Sequence, residues 1–414
     1  MDFLQVLRMV SRGLMIFVSL YYWYQLGYLI LPHLLRGRAH KPEKLHRYAV
    51  LIAARNEEQV LPHLLRSILE QTYPAELITT YVVADNCTDE TARVARELGA
   101  NVLVRTDPVH IGKGYALHAL LEHIRQLGRW EDYDCFLVFD ADNLLAPDYV
   151  EKMNRTRCDG YEAFCGYRNS KNFGTNWLTS GYSLMFLHDC VNMNRSRMLL
   201  GSSCIVSGTG FGCTRQVLER CGYWNFFTLT EDTQFSYWCA ANGVRVGYCH
   251  DAMVYDEQPV RFGQSWRQRV RWVQGSFQVA GKCGPSLLRG LRHGSYACYE
   301  CLTMSLWGYG LAAISAVLNL VVIGLEHGAL DVLSALGSSL ASIYASVFVI
   351  GLLTELTQWN RIRATTGQKL AALVTFPLFL MTFIPIAIAA PFTKFQWKPI
   401  EHKVAVSAQT LLEK

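Results

Sequence analysis

Phe136-Leu137-Val138-Phe139-Asp140-Ala141-Asp142 is the stretch on which the fold turns. Four consecutive large apolar side chains, with no polar alternation, read as a strand buried on both faces inside a parallel sheet covered by helices. The strand ends in two carboxylates one residue apart, out of place as packing. Open α/β sheets put their ligand sites beyond the carboxyl ends of strands, and carboxylates fixed on a short turn suit a hard divalent cation that also binds phosphate oxygens. Taken alone, the same residues read equally as an Asp-rich turn capping the next helix.

Two further units of the same kind precede it. Ala49-Val50-Leu51-Ile52-Ala53-Ala54 reads as a buried strand, Arg55-Asn56-Glu57-Glu58 as a polar turn, and Leu61, Leu64, Leu65, Ile68 and Leu69 recur at helical spacing. Tyr81-Val82-Val83-Ala84 repeats the pattern, breaks at Asp85-Asn86-Cys87-Thr88-Asp89 and continues as a helix over 91–98; an Asx turn at Asp85 is one way to cap that helix at Thr91. A short strand over 101–104 precedes Gly112-Lys113-Gly114 and a helix over 115–126. Such alternation predicts a mostly parallel sheet with helices on both faces.

Downstream the pattern loosens, and residues 151–194 show no clear assignment. Ser207-Gly208-Thr209-Gly210-Phe211-Gly212 is a glycine loop that suits either a phosphate cradle or close backbone packing. Leu229-Thr230-Glu231-Asp232 opens a segment of helical composition over 233–241, with Thr230 as candidate N-cap and the acids favouring the helix dipole. From Gln258 to Tyr299 there is no Asp or Glu, while Arg261, Arg267, Arg269, Arg271, Lys282, Arg289 and Arg292 alternate with Trp266, Val270, Trp272 and Phe277. That pattern predicts one or more amphipathic helices at a membrane surface. Charge alone does not account for Gln268-Arg269-Val270-Arg271-Trp272, where guanidinium and indole stand side by side.

The 414 residues are 51% hydrophobic with a mean hydropathy of +0.12, and the surplus is localised. Uncharged apolar runs at about 13–35, 301–325, 332–354 and 370–393 each approach the ~20 residues needed to cross a bilayer. No small-residue cleavage pattern follows the first run, and Arg36, Arg38, Lys41, Lys44 and Arg47 do, as after a retained anchor; the positive-inside rule then puts the middle of the chain in the cytoplasm. Arg361, Arg363 and Lys369 agree, and 326–331, without Lys or Arg, is expected outside. The basic residues cluster beside membrane segments, so the net charge of +5 implies anionic lipid rather than nucleic acid. Thirteen scattered cysteines in a cytosolic domain are expected reduced, and the lone Cys298-Tyr299-Glu300-Cys301 spacing does not suggest zinc.

Taken in order, Asp85, Gly-Lys113-Gly, Asp140-Ala-Asp142, Thr230-Glu231-Asp232 and Gln268-Arg-Val-Arg271-Trp272 resemble family 2 glycosyltransferases, specifically the membrane-integrated branch with the cellulose, chitin, hyaluronan and poly-N-acetylglucosamine synthases. The resemblance covers roughly residues 48–290. It implies a GT-A-type, Rossmann-like nucleotide-diphospho-sugar transferase domain over 45–257, an N-terminal transmembrane helix over 1–36, interface helices over 258–299, three C-terminal membrane segments over 300–393 and a tail over 394–414.

The resemblance also assigns roles. Arg55, Glu57, Asp85 and Lys113 would contact a UDP-sugar, Asp85 at the uracil or ribose. Asp140 and Asp142 match the metal motif for Mg²⁺ or Mn²⁺, whose task is to neutralise charge on the departing UDP. Asp232 matches the general base, beside Glu231; Gln268 and Arg271 would close over the diphosphate; Trp272, with Thr230, would form the acceptor platform. One base and one attack imply inversion, hence a β-linked product from an α-linked donor. The implied acceptor is a growing polysaccharide or, alternatively, a lipid. Four apolar runs are few for a sugar channel in one chain, leaving room for an export partner or a homo-oligomer. The tail motif Trp397-Lys398-Pro399-Ile400-Glu401-His402 departs from the Trp-Gly-Thr-Arg of hyaluronan synthases. Four full crossings would leave this tail outside, whereas Pro377, Pro385 and Pro391 would allow a re-entrant last segment that returns it.

Overall fold

The computed structural model describes residues 2–35, 37, 41 and 43–394. The tail motif at 397–402, Arg36 and Arg38 lie outside the described residues. Eight strands, β1 (Tyr48–Ala54), β2 (Ile78–Asp85), β3 (Asn101–Arg105), β4 (Cys135–Asp140), β5 (Leu144–Leu145), β6 (Ala163–Ser170), β7 (Phe211–Thr214) and β8 (Val246–Asp256), form one sheet in the order β3-β2-β1-β4-β7-β6-β8-β5. β1 lies parallel to β2 and β4, β2 to β3, and β6 to β8, whereas β7 and β5 run antiparallel to their neighbours.

The unalternated run of β4 has a direct cause. Phe136 and Val138 enter one core with Leu117 and Leu120 of the helix Lys113–Gln126. Leu137 and Phe139 enter the other, with Leu64 of the helix Leu61–Leu69 and Met153 of the helix Tyr149–Cys158. None of these four strand residues is more than 2% exposed. Each such burial stabilises the fold by roughly 1.5–3 kcal/mol relative to an exposed side chain. The register pairs Ala53 with Asp140 and Ala54 with Ala84, so β1, β2 and β4 end together. Strand order reverses between β1 and β4, and the crevice beyond those ends is where such sheets bind ligands.

The stretch 151–194 contains β6 and the helix Trp177–His188, continued by a π-helical turn, Asp189–Asn194, and the helix Arg195–Leu200. Leu178, Thr179, Ser180, Gly181, Tyr182, Ser183 and Leu184 are all buried, so no exposed face marks the helix in sequence. The basic stretch forms one helix, Phe262–Arg292, followed by a short one, Tyr296–Thr303. All thirteen cysteines are free thiols.

Among the described residues four helical segments are long and apolar enough to cross a membrane: Phe3–Leu34, Leu306–His327, Ala329–Gln358 and Thr366–Phe392. They extend beyond the uncharged runs and take in Arg8, Arg12, Glu326, Asp331, Glu355 and Lys369. Helical hydrogen bonding continues past the apolar core, so charged ends belong to the same rods. Gly328 alone separates the second from the third, and Arg8 pairs with Glu326 beside it.

The last segment folds back. Near its start Gln368 Nε2 donates to the Gly174 carbonyl at 2.9 Å; near its end Gln274 Nε2 donates to the carbonyls of Ala390 at 2.8 Å and Thr393 at 2.6 Å. Between these points the helix Thr366–Met381 packs on Trp177–His188, where a Cβ at Gly181 would lie 2.4 Å from the Phe379 ring. The chain breaks at Thr382, and the helix Phe383–Ala389 lies on Phe262–Arg292. Both ends therefore contact residues between Gly174 and Gln274.

Candidate functional site

The loops that follow β1 and β2 are shaped by two asparagines in the left-handed region, Asn56 with φ 58° and Asn86 with φ 53°. Asparagine tolerates that conformation because its short amide bonds locally. Asn56 Oδ1 accepts the Thr88 N–H at 2.8 Å, and Asn86 exchanges hydrogen bonds with the backbone of Asp107, locking the turns together. Asp85, 5% exposed, ends β2 and is held by Arg105 at 2.5 Å. It does not cap the following helix: Asp89 Oδ1 accepts the Thr91 N–H at 3.1 Å, leaving Asp85 aimed at the crevice.

The glycines around Lys113 have separate reasons. Gly112 has φ 140°, and a Cβ at Gly114 would lie 2.1 Å from the Phe226 carbonyl. This close approach brings 226–232 beside Lys113. Lys113 Nζ donates to Asp140 Oδ1 at 2.5 Å and to the Gly208 carbonyl at 2.8 Å. Asp140 N–H donates to Thr209 Oγ1 at 2.9 Å and Asn143 Oδ1 at 3.1 Å. Asp142 is 3% exposed and accepts the Glu257 N–H at 3.3 Å.

The glycine loop serves packing and position. Cβ atoms at Gly210 and Gly212 would lie 2.6 Å from Val254 and 2.7 Å from Leu137, so two of its glycines exist for close contact. Gly208, with φ 77°, donates its N–H to Asp232 Oδ2 at 2.6 Å. Thr230 stands at the N-cap of the helix Glu231–Ala241 without capping it. Its hydroxyl is buried with no hydrogen-bond partner among the described residues, pressed against Gly275, where a Cβ would lie 2.6 Å from it. Arg271 donates to the Leu229 carbonyl at 3.0 Å, and Gln268 Oε1 is buried without a partner. Trp272 stands edge-on to Tyr182 and Phe186, at centroid distances of 5.8 and 6.1 Å.

Arg55, Glu57, Asp85, Lys113, Asp140, Asp142, Thr230, Glu231, Asp232, Gln268, Arg271 and Trp272 all line one cavity of about 700 Å³. Sequence reasoning missed Arg168, Asp189, Asp256 and Glu257, which line it too. Arg168 pairs with Asp256 and donates to the Ser207 carbonyl at 2.9 Å. Acids at the end of an apolar strand, Val254-Tyr255-Asp256-Glu257, repeat the signal of β4 and would have found two of the four.

Carboxylates outnumber basic groups here, and the field shows in two of them. Burial, then Asp232, raises the Glu231 pKa to about 7, against the opposing pull of Lys113 and Arg271. For Lys113 burial alone would lower the pKa, but Asp140, Glu231 and Asp232 carry it above its ordinary value. Among the described residues no group of three or more His, Cys, Asp or Glu is arranged to hold a metal. Two carboxylates on one turn still fit Mg²⁺ or Mn²⁺, ions that bind through one or two protein carboxylates with phosphate oxygens and water completing the shell.

The family model for glycosyltransferase like family 2 matches residues 46–275, more than half of the chain. The chain belongs to that family. This glycosyltransferase is 26% identical over 248 residues to the probable glycosyltransferase YdaM of Bacillus subtilis, covering 58% of this chain and 57% of that one. It is 27% identical over 239 residues to the beta-monoglucosyldiacylglycerol synthase of Nostoc, covering 56% and 49%. It is 27% identical over 244 residues to the poly-beta-1,6-N-acetyl-D-glucosamine synthase of Staphylococcus epidermidis, covering 57% and 56%. The chain thus spans about half the length of the curated relatives it matches. A solved structure, the mannosyltransferase PcManGT of Pyrobaculum calidifontis in complex with GDP-Man and Mn²⁺, superposes with a TM-score of 0.56 at 19% identity, covering 94% of this chain and 98% of that one. The fold is of the GT-A type.

Proposed function

We propose that this family 2 transferase is an inverting enzyme that passes a sugar from a UDP-sugar to a growing β-linked polysaccharide at the membrane face of its cavity. The carrying observation is that Asp85, Asp140, Asp142, Asp232 and Arg271, separated widely in sequence, converge on one cavity. Asp85, at the end of β2, accepts hydrogen bonds from the nucleoside. Lys113 and Arg271 bind the diphosphate. A divalent cation, Mg²⁺ or Mn²⁺, would be held by Asp140 and Asp142, and supplies charge neutralisation for the departing diphosphate.

Asp232 is the general base. The Gly208 N–H fixes one of its oxygens, which leaves the other to take the proton of the acceptor hydroxyl as that oxygen attacks the anomeric carbon. A single carboxylate suffices because attack opposite the diphosphate inverts configuration; no second carboxylate nucleophile is required, unlike retaining glycoside hydrolysis. Trp272 offers a ring for the acceptor sugar.

Residues 45–257 would form the cytoplasmic catalytic domain, with the basic residues Lys41, Lys44 and Arg47 after the first span on the same side. A second reading, transfer of one sugar to a lipid, is favoured by a different observation: Tyr309 and Phe383, from two of the apolar segments, also line the cavity. Incubation of the detergent-solubilised protein with a panel of UDP-sugars, Mg²⁺ and Mn²⁺, followed by product sizing, separates the two. Asp232→Asn is expected to abolish UDP release; undiminished release from an active preparation refutes the mechanism.

A further inference from the structure

The π-helical turn Asp189–Asn194 inserts one wide turn between Trp177–His188 and Arg195–Leu200. Such turns cost backbone hydrogen-bond geometry and are found frequently at functional sites. Its other polar side chains are bonded. Asn192 Nδ2 donates to Thr354 Oγ1 at 3.0 Å, and Asn194 Oδ1 accepts the Ile205 N–H at 3.0 Å. Asp189 is the exception: among the described residues its carboxylate has no hydrogen bond or ion pair, and it lines the cavity.

The two guanidiniums whose charges act on it are committed elsewhere. Arg168 pairs with Asp256 and lies flat on Phe186, its centre 3.6 Å from the ring centroid. Arg197 is bound to Glu300 at 3.0 Å. Asp189 therefore presents unfilled acceptor oxygens to the cavity, which the ring of Tyr309, close enough to feel the Asp189 charge, lines as well. An aromatic face next to a carboxylate is the chemistry that recognises a sugar: the ring takes its C–H face, and the carboxylate takes its hydroxyl protons. The base lies close by along the chain, since Ile205 and Ser207, which line the cavity with Asp189, lead directly to the Gly208 N–H that holds Asp232.

We propose that Asp189 is an acceptor-binding residue that selects a saccharide, accepting hydrogen bonds from hydroxyls of the sugar unit that receives the transfer. This rests on the transferase reading above and deepens it: the acceptor is polyhydroxylated where it meets the catalytic domain. No bond to Asp189 forms or breaks. Asp189 acts by orienting the attacking sugar, and hydrogen bonds to a charged acceptor are among the stronger ones.

The test uses the full-length protein in detergent, with UDP-glucose and UDP-N-acetylglucosamine as donors and cello- and chito-oligosaccharides as acceptors. Asp189→Asn keeps shape and removes charge; Asp189→Ala removes both. Expected is a rise of roughly tenfold or more in the KM for the oligosaccharide in both variants. The acceptor KM should rise by a larger factor than the donor KM, and Asp189→Glu should recover part of the loss. An unchanged acceptor KM in an active enzyme overturns the proposal while leaving the transferase reading intact. So does efficient transfer to a diacylglycerol carrying no sugar that proves indifferent to the substitutions. Inactivity of the wild-type protein with every donor would instead count against the transferase reading itself.

Discussion

Lys113 Nζ lies 2.5 Å from Asp140 Oδ1 and 2.8 Å from the carbonyl of Gly208, the residue whose N–H holds Asp232. One ammonium thus ties the proposed metal turn to the loop that positions the proposed base. Lys113→Met should lower kcat/KM for the donor by about 10²-fold or more, because the site loses its central cation in a cavity where carboxylates predominate. Steady-state UDP release, with circular dichroism to confirm the fold, checks it.

The cation requirement gives a second outcome. EDTA should abolish transfer and added Mn²⁺ or Mg²⁺ restore it in the wild type. Asp142→Asn should raise the metal concentration needed for half-maximal rate, since one of two carboxylates then carries no charge. A metal titration of both proteins is the measurement.

Glu231 makes stability depend on pH. Its folded pKa, raised to about 7 by burial and Asp232, exceeds the ordinary carboxylate value, so the folded state binds the extra proton. Its favourable contribution is complete below about pH 4.5 and is lost as pH rises through 7. Glu231→Gln should flatten the fall in thermal midpoint over that window and leave the variant relatively more stable at pH 8. Differential scanning fluorimetry at a series of pH values reads this directly.

The pair Arg197–Glu300 joins the catalytic domain to the helix Tyr296–Thr303, with Tyr28 of the first apolar segment donating to Glu300 at 2.8 Å. Their side chains are 2% and 1% exposed. Breaking the pair with Arg197→Met leaves a buried, uncompensated carboxylate and should cost about 3–5 kcal/mol. The double variant with Glu300→Gln should recover part of that loss, in a double-mutant cycle followed by thermal unfolding.

Gly181→Ala places a methyl group into Phe379 of the last apolar segment. It should lower stability by about 1–3 kcal/mol and loosen the segment from the domain. Limited proteolysis between the helices at 358–366, faster in the variant, would register the loosening.

The sequence by itself determined the βα units, because period-two and period-3.6 patterns follow from local backbone geometry. It also pointed to the strand-end acids, because a carboxylate after four buried apolar residues has no packing reason to be there. Asp85, Asp140 and Asp142 stand out in this way, whereas Lys113, Asp232 and Arg271 were singled out by the ordered set that resembles the family. What local pattern does not encode is long-range partnership. Only the tertiary structure decided that Asp89 rather than Asp85 accepts the Thr91 N–H at the start of the second helix, and that Gly208 holds Asp232 while its neighbouring glycines admit Val254 and Leu137. The helix Trp177–His188 hid because burial on nearly every side erases the periodicity that would reveal it, and Asp189 hid with it. The packing of the last apolar segment was likewise undecided by its own residues. It is set by partners far away in sequence, Gly174, Gly181 and Gln274.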